Sequence, residues 1–389
     1  MKIICVGGGP AGLFFSLLMK QHHPGYDVEV RERSAEGHVQ GWGVVLWQDG
    51  LDAVTVADPA TGRALADALH EWHGARISRR DEVWVDEGAS GFAIARRELQ
   101  SLLAGRAREA GVRITYGSEV DPSDLPAADL IVAADGVGSR LRRSRSAEFG
   151  SRTVPSRNRY VWLGATTYLD SFAFAFLRTD AGWLWCHGYG YGEDRSTFIV
   201  ECPAETWEGL GLGSSTTAET LALLERLFAD HLRGARLLPP PDAGDQMQWL
   251  TFATLTNRTW HQDNVVLLGD AAHTTHFSIG SGTKLALEDA AGLVDALQTH
   301  PELSVALAAF EARRRPEVEQ AQRQAVHSLR WFENFSRYSD LTMPDFTDLL
   351  ERRRSSLLGR IPPRVYLRLR RLADSRSTVK RSLQRLHAR

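Results

Sequence analysis

Cysteine is scarce in this chain. Among 389 residues there are three, Cys5, Cys186 and Cys202, and no C-x-x-C pair. That spacing excludes a zinc ribbon and a disulfide framework, and Cys5 reads as a small buried apolar residue. An excess of one charge is missing too. The formal net charge is -2, with 46 basic against 48 acidic residues, so nothing pulls the whole molecule toward nucleic acid or an anionic membrane. No apolar run is long enough to span a bilayer. The first apolar run is short and is cut by glycines and Pro10, unlike a signal peptide. No internal repeat is evident. These absences lead to the expectation of a reduced, cytoplasmic protein without a metal site. Its length allows two or more domains with real cores.

What is present begins at once. Lys2-Ile3-Ile4-Cys5-Val6 is a short apolar run rich in β-branched residues. Gly7-Gly8-Gly9-Pro10-Ala11-Gly12 follows, and then an apolar stretch, Leu13 to Met19, with helical character. Strand, glycine turn and helix form the context in which G-x-G-x-x-G predicts a dinucleotide site. Gly7 suits the tight turn, Gly9 a close approach of backbone to pyrophosphate, and Gly12 close helix–strand packing. The helix start then turns N–H groups and the positive end of its dipole toward phosphate. A second strand, Tyr26 to Arg31, ends at Glu32, with Arg33 beside it. An acid about 20 residues past the glycines accepts from ribose hydroxyls.

Two further segments carry the same logic. Asp129 to Ala134 is an apolar strand followed by Asp135-Gly136-Val137-Gly138-Ser139. Asn264 to Leu268 is another, closed by Gly269-Asp270-Ala271-Ala272-His273, and Gly280-Ser281-Gly282 then opens a long helix from Thr283 to Thr299. In open α/β sheets ligands bind beyond the carboxyl ends of the strands. Asp270 can hold a ribityl hydroxyl there, and the amides after Gly280 can face a pyrophosphate or a flavin carbonyl. Between these segments, Arg159 to Glu201 is aromatic and strand-rich, with turns at Asp180-Ala181-Gly182 and Gly192-Glu193-Asp194. It predicts an antiparallel sheet with one aromatic face.

The three motifs, in this order, resemble the group A flavoprotein aromatic monooxygenases of the para-hydroxybenzoate hydroxylase-like fold, over residues 1 to about 335. A smaller subgroup is similar through Gly41-Trp42-Gly43-Val44-Val45, Arg159 to Gly164, Ser196 to Glu201 and His276 to Thr283. It holds the salicylyl-CoA 5-hydroxylases, the flavin part of the anthraniloyl-CoA monooxygenases and the violacein-pathway tryptophan hydroxylase. Ala271-Ala272-His273 and Lys284 are more similar to the thioester enzymes. The chain departs from the wider family at Phe277, where proline is usual, and at Lys284, where asparagine is.

The resemblance implies an α/β (α+β) protein: a Rossmann-like FAD-binding domain interrupted by an antiparallel-sheet substrate domain, then a helical C-terminal region. The expected divisions are FAD-binding 1–75, substrate-domain strands 76–91, FAD-binding 92–155, substrate sheet 156–257, FAD-binding 258–315 and a helical, basic region 316–389. Expected cofactor residues are Gly7, Gly9, Pro10, Ala11, Gly12, Glu32, Arg33, Arg96, Asp135, Gly136, Gly269, Asp270, Gly280, Gly282 and Thr283. FAD, NADH or NADPH, and O2 would take part, and a flavin C4a-hydroperoxide would deliver oxygen to the ring. The substrate would be an ortho-hydroxy- or ortho-aminobenzoyl thioester, on CoA or a carrier, hydroxylated at position 5. No nucleic acid or membrane partner is expected, and the chain would be a monomer or homodimer.

Such chemistry needs a dry pocket, a donor near the oxygen being transferred and an acceptor for the substrate's proton. His276, His187 and Tyr189 are the candidates. His276 precedes the flavin-binding glycines; His187 and Tyr189 lie in the aromatic sheet. Each also has a plain structural reading, as a core group paired with backbone. Trp42 and Trp47 read as core or flavin neighbours. The arginines from Arg352 to Arg385 read either as a solvated helical face or as a clamp for the CoA 3′-phosphate. A tryptophan or indole hydroxylase is the alternative. A flavin halogenase fits less well, since Trp183-x-Trp185 is followed by His187-Gly188 where that motif needs Ile-Pro. A non-catalytic FAD redox protein would leave the substrate pocket unused.

Overall fold

The computed structural model describes residues 1–372; Asp374, Arg376, Lys380, Arg381 and Arg385 of the basic stretch lie outside the described residues. The first strand, Lys2–Val6, lies inside a six-stranded sheet. It pairs in parallel with Asp27–Glu32 on one side and Leu130–Ala133 on the other. Val265–Leu267 continues the sheet in parallel beyond Leu130–Ala133, and Arg113–Tyr116 does so beyond Asp27–Glu32. Buried on both faces, such strands need to be apolar throughout, and all four residues of Leu130–Ala133 are buried.

The helix Pro10–His22 packs against helices Gly282–Thr299 and Arg96–Glu109. Two glycines allow its approach to the first strand. Gly7 has φ +108°, and a Cβ there would lie 2.4 Å from the Ala134 carbonyl oxygen. A Cβ on Gly12 would lie 2.2 Å from the Gly7 carbonyl oxygen. Neither position has room for a side chain.

The second sheet has nine strands. Arg152–Ala165, Arg195–Cys202, Gly182–Gly192 and Phe172–Thr179 run antiparallel in turn. Phe172–Thr179 then pairs in parallel with His70–Arg79, which is followed by Glu82–Ala95 and Gly43–Leu46. The expected divisions at 75/76 and 91/92 are therefore displaced. The strands of this sheet run from 70 to 95, and the short run Gly43–Leu46 belongs to it rather than to the nucleotide-binding sheet. Pairing with Phe92–Ala95 buries Gly43–Leu46 on both faces, and an isolated apolar run of four residues does not announce its partner.

The division at 315/316 also moves, because one helix, Leu303–Glu333, runs straight through Pro316. Its end brings Trp331, Phe332 and Phe335 onto Phe176 and Trp185 of the large sheet. Phe346, from the helix Met343–Glu351, closes the same cluster. The C-terminal region thus covers Phe174, Phe176, Trp183 and Trp185 of the aromatic sheet.

Glu311 ties the long helix to the edge of the nucleotide-binding sheet. Its carboxylate accepts from the Trp260 amide at 2.8 Å and the Thr259 hydroxyl at 3.0 Å, and pairs with His261 Nδ1 at 2.9 Å and with Arg315. Burial alone would raise its pKa, but these partners outweigh burial and hold it down at about 2. A carboxyl depressed in the folded state contributes stability above its unfolded pKa and loses it as pH falls toward the folded value. At about 1.4 kcal/mol per unit, with a discount for solvent screening, the contribution is roughly 2 kcal/mol. Glu311→Gln is expected to lower stability by about that amount at pH 7 and to flatten the loss between pH 5 and about 2. Denaturation midpoints of both proteins across that range check this; parallel curves would contradict it.

Candidate active site

Both sheets open onto one cleft of about 1250 Å³. A drug-sized ligand needs roughly 300–1,000 Å³, so the cleft has space for a dinucleotide and an aromatic ligand together. Its two ends differ in chemistry.

One end is backbone and charge. Gly9, Pro10, Ala11, Arg96, Gly136, Asp270, Gly280, Gly282 and Thr283 line it. Helices Pro10–His22 and Gly282–Thr299 both start here, and neither has a side-chain cap. Their first amides are left for a ligand. A Cβ on Gly9 would meet nothing within 4 Å, so the glycine leaves open space in front of the turn. Asp135 accepts from the Arg140 amide at 2.8 Å through Oδ2, while Oδ1 is buried without a partner. Asp270 faces the cleft; burial pushes its pKa up, against the pull of Arg96. Arg96 also reaches over the Trp162 ring. Uncapped helix starts, an orphaned carboxylate oxygen and a cation facing an acid fit a bound FAD.

The remaining expected residues lie behind this surface. Gly7, Gly12 and Gly269 shape the turns beneath it. Glu32 holds the glycine turn, accepting from the Gly8 amide at 2.7 Å and the Ser34 amide at 2.8 Å. A carboxylate has about four lone-pair sites, so Glu32 keeps capacity for a ribose hydroxyl. Arg33 is exposed and lies outside the cleft walls. Lys284 turns away to ion-pair with Asp49, and with Glu288 at 3.6 Å.

The other end is aromatic. Trp47, Trp72, Phe172, Phe174, Tyr160, Tyr189 and Phe277 form its walls. Trp47 is therefore a cleft residue, whereas Trp42 packs on Gly164. Phe277 stands between Tyr160 and His187, with ring centroids 4.9 and 5.3 Å away.

His187 is 2% exposed and belongs to this wall. Its Nε2 pairs with Glu201 Oε2 at 3.1 Å. Glu201, 1% exposed, also accepts from Trp185 Nε1 at 3.0 Å and Asn158 Nδ2 at 2.7 Å. Burial would raise the Glu201 pKa, but the His187 bond and the other partners leave it below the ordinary carboxylate range. Burial pushes the His187 pKa down. We take the carboxylate as ionised and the imidazole as neutral. An ionised carboxylate only accepts, so His187 Nε2 carries the hydrogen and Nδ1 is a bare acceptor. Nδ1 is buried with no protein partner.

The other two candidates are engaged elsewhere. Tyr189 presents its ring to the cleft, but its hydroxyl donates to the Gly43 carbonyl at 2.9 Å, and burial raises its pKa. His276 does not meet a ligand from the cleft side as expected. It is 2% exposed and absent from the cleft walls. Its Nδ1 accepts from the Ser278 amide at 3.3 Å and pairs with the Ser278 hydroxyl at 2.8 Å, capping the turn Phe277–Ile279. Its ring packs against that of Phe277, with centroids 4.1 Å apart, and Phe277 is the one that lines the cleft.

Glu201 and Arg353 are the groups that motif reading missed. Glu201 is an acid in a strand otherwise buried on both faces, a mismatch visible in the sequence. Of the basic stretch, Arg352, Arg370 and Arg371 pair with Asp348 and Asp345, whereas Arg353 and Arg354 line the cleft. Burial pushes the Arg353 pKa down to about 9.

A family model described as FAD binding domain matches residues 1–325. A salicyloyl-CoA 5-hydroxylase of a Streptomyces species is 38% identical over 343 residues, 87% of this chain; the chain spans 66% of that relative's length. A 3-hydroxy-4-methyl-anthranilyl-(aryl-carrier protein) 5-monooxygenase of Streptosporangium sibiricum is 38% identical over 353 residues, covering 91% of this chain and 94% of that one. Among solved structures, 2-methyl-3-hydroxypyridine-5-carboxylic acid oxygenase matches with a TM-score of 0.69 at 24% identity, over 88% of this chain and 93% of that one. That likeness speaks for the fold.

Two substitutions separate the roles assigned here. Asp270→Ala should weaken FAD retention by roughly ten- to a hundredfold, the scale of a lost hydrogen bond to a charged group, as read by flavin content after gel filtration. Parental retention would count against it. His276→Ala should lower stability by about 1–2 kcal/mol while turnover per bound flavin stays within about threefold; a selective loss of turnover would restore His276 to the chemistry.

Proposed function

The chain belongs to the FAD binding domain family, and on that premise we propose that it is a flavin-dependent, NAD(P)H-consuming aromatic monooxygenase acting on an ortho-hydroxy- or ortho-aminobenzoyl thioester. The observation that carries this reading is the composite cleft, with a dinucleotide end and, beside it, an aromatic end lined by His187, whose buried Nδ1 has no protein partner. The two curated relatives add the substrate class, since both names specify position 5 of an aroyl thioester with an ortho hydroxyl or amino group.

Bound FAD, reduced by the nicotinamide and reacting with O2, supplies an electrophilic oxygen; the products are hydroxylated ring, oxidised nicotinamide and water. This chain's residues do the rest. The amides at the two helix starts and Arg96 hold the phosphates, and Asp270 a ribityl hydroxyl. Trp47, Trp72, Phe172, Phe174 and Phe277 hold the aryl head and keep water away from it. His187 Nδ1 takes the proton of the ortho hydroxyl or amino group. Glu201 keeps the imidazole in the tautomer that can do so and stabilises the cation that results. As that proton leaves, electron density rises para to the heteroatom, which is position 5 of a benzoyl ring.

Arg354, exposed and lining the cleft, is available to the phosphates of a thioester arm, so binding should be salt-sensitive. Comparing NAD(P)H-linked hydroxylation of salicylyl-CoA, anthraniloyl-CoA, their free acids and L-tryptophan, at low and high salt, tests the reading. The thioesters should exceed the free acids by at least about tenfold in kcat/KM and lose more of it in salt; a tenfold gap needs about 1.4 kcal/mol of extra binding. Tryptophan turnover above both thioesters would replace this substrate class.

A further inference from the structure

Arg353 has an unusual environment for a cation. Nη1 donates to the Leu350 carbonyl at 2.8 Å and Nη2 to the Ser278 carbonyl at 2.9 Å. Nε is buried with no partner. No carboxylate stands within ion-pairing distance of the guanidinium among the described residues. It lies over the Phe174 ring, 5.4 Å from the centroid, and it lines the cleft. His187 packs edge-on against the same ring, with centroids 5.1 Å apart. Phe174 is therefore flanked by a donor without an acceptor and an acceptor without a donor. A buried polar group left unpaired is costly, and both residues line the cleft.

We infer that Arg353 and His187 together read the aroyl head, Arg353 through the carbonyl oxygen and His187 through the hydrogen of the ortho hydroxyl or amino group. The inference rests on the proposed function for the identity of that head. Its logic comes from the ligand's own chemistry. In a free ortho-hydroxyaroyl compound the hydroxyl donates to the neighbouring carbonyl, which hides the proton that must be removed. A hydroxyl has one hydrogen and cannot serve both acceptors. A guanidinium at the carbonyl replaces that internal bond with a charge-assisted one. The hydroxyl is then free to turn to His187, where its O–H bond breaks, an N–H bond forms at Nδ1 and the electron pair stays on the ring oxygen. Arg353 is thus a substrate-reading residue supplied by the C-terminal region.

Fragments without a carrier arm test this separately from the thioester reading. Oxidised holoenzyme is titrated with salicylamide, benzamide and phenol, following the visible flavin spectrum, alongside Arg353→Met and Arg353→Lys. Salicylamide should bind at least about tenfold more tightly than phenol, the scale of one charge-assisted hydrogen bond. Arg353→Met should erase that advantage and weaken benzamide to the same degree while leaving phenol within about twofold. Arg353→Lys should keep part of it. Equal binding of salicylamide and phenol to the parent overturns the inference. So does an equal weakening of all three fragments in Arg353→Met, which marks a merely structural arginine, or the absence of any spectral change. If this pattern appears but no aroyl thioester is turned over, the thioester reading fails and the donor–acceptor pair stands.

Discussion

A carboxylate buried to 1% exposure governs the aromatic end of the cleft. Glu201 is tolerable there only because donors from Asn158, Trp185 and His187 converge on it, since an unpaired buried charge is strongly disfavoured. Those donors come from Arg152–Ala165 and Gly182–Gly192, the two strands that flank Arg195–Cys202, so satisfying one charge also ties the register of the three strands together. The same satisfaction sets the His187 tautomer. Removing any single partner would leave the carboxylate exposed to its full desolvation cost, which makes this wall rigid where a substrate must be placed accurately.

At the other end the constraint is steric rather than electrostatic. Helix and strand meet so closely at Gly7 and Gly12 that the glycine turn is pressed against the strand ends. Backbone amides are then the surface that the cleft presents. Binding through amides is tolerant of the side chains around it, which is why this half is carried by short glycine motifs. Binding through a shaped aromatic wall depends on side chains from many segments at once, and those are dispersed along the chain.

That difference explains what the sequence could reveal. The strand–turn–helix at the start and the Gly-Asp and Gly-Ser-Gly segments are local, so their place at the strand ends follows from local pattern. The partner of Gly43–Leu46 is not local. A run of four apolar residues fits either sheet, and it is Phe92–Ala95, almost fifty residues on, that captures it. Within the aromatic sheet the sequence shows that His187 is apolar-flanked, but only cross-strand placement shows that Glu201 reaches its Nε2. His276 misled for the opposite reason. Its neighbours in sequence do line the cleft, yet a turn of three residues sends its ring inward to cap its own backbone. Arg352, Arg353 and Arg354 are indistinguishable as letters; the end of the helix Met343–Glu351 sends one to pair with Asp348 and the next two to the cleft.

The two ends meet in the loop between Val265–Leu267 and Gly282–Thr299. Asp270 and Gly280 of this loop, with Gly282 and Thr283 at the start of the helix, belong to the dinucleotide end, and Phe277 between them belongs to the aromatic end. The Ser278 and Ile279 carbonyls accept from Arg353 and Arg354. Trp47, another cleft residue, also donates to the Ile279 carbonyl at 3.3 Å. One loop therefore holds residues of both ends of the cleft and the carbonyls that anchor Arg353 and Arg354. A displacement of that loop would move all of these together. An aryl head seated against Phe277 and Phe174 thus finds its distance from the flavin site fixed by the same backbone that anchors Arg353. Reaction at one ring carbon rather than its neighbour, as the proposed function requires, would depend on that shared reference point, because a ring is presented in one orientation only when several of its groups are held relative to the cofactor at once.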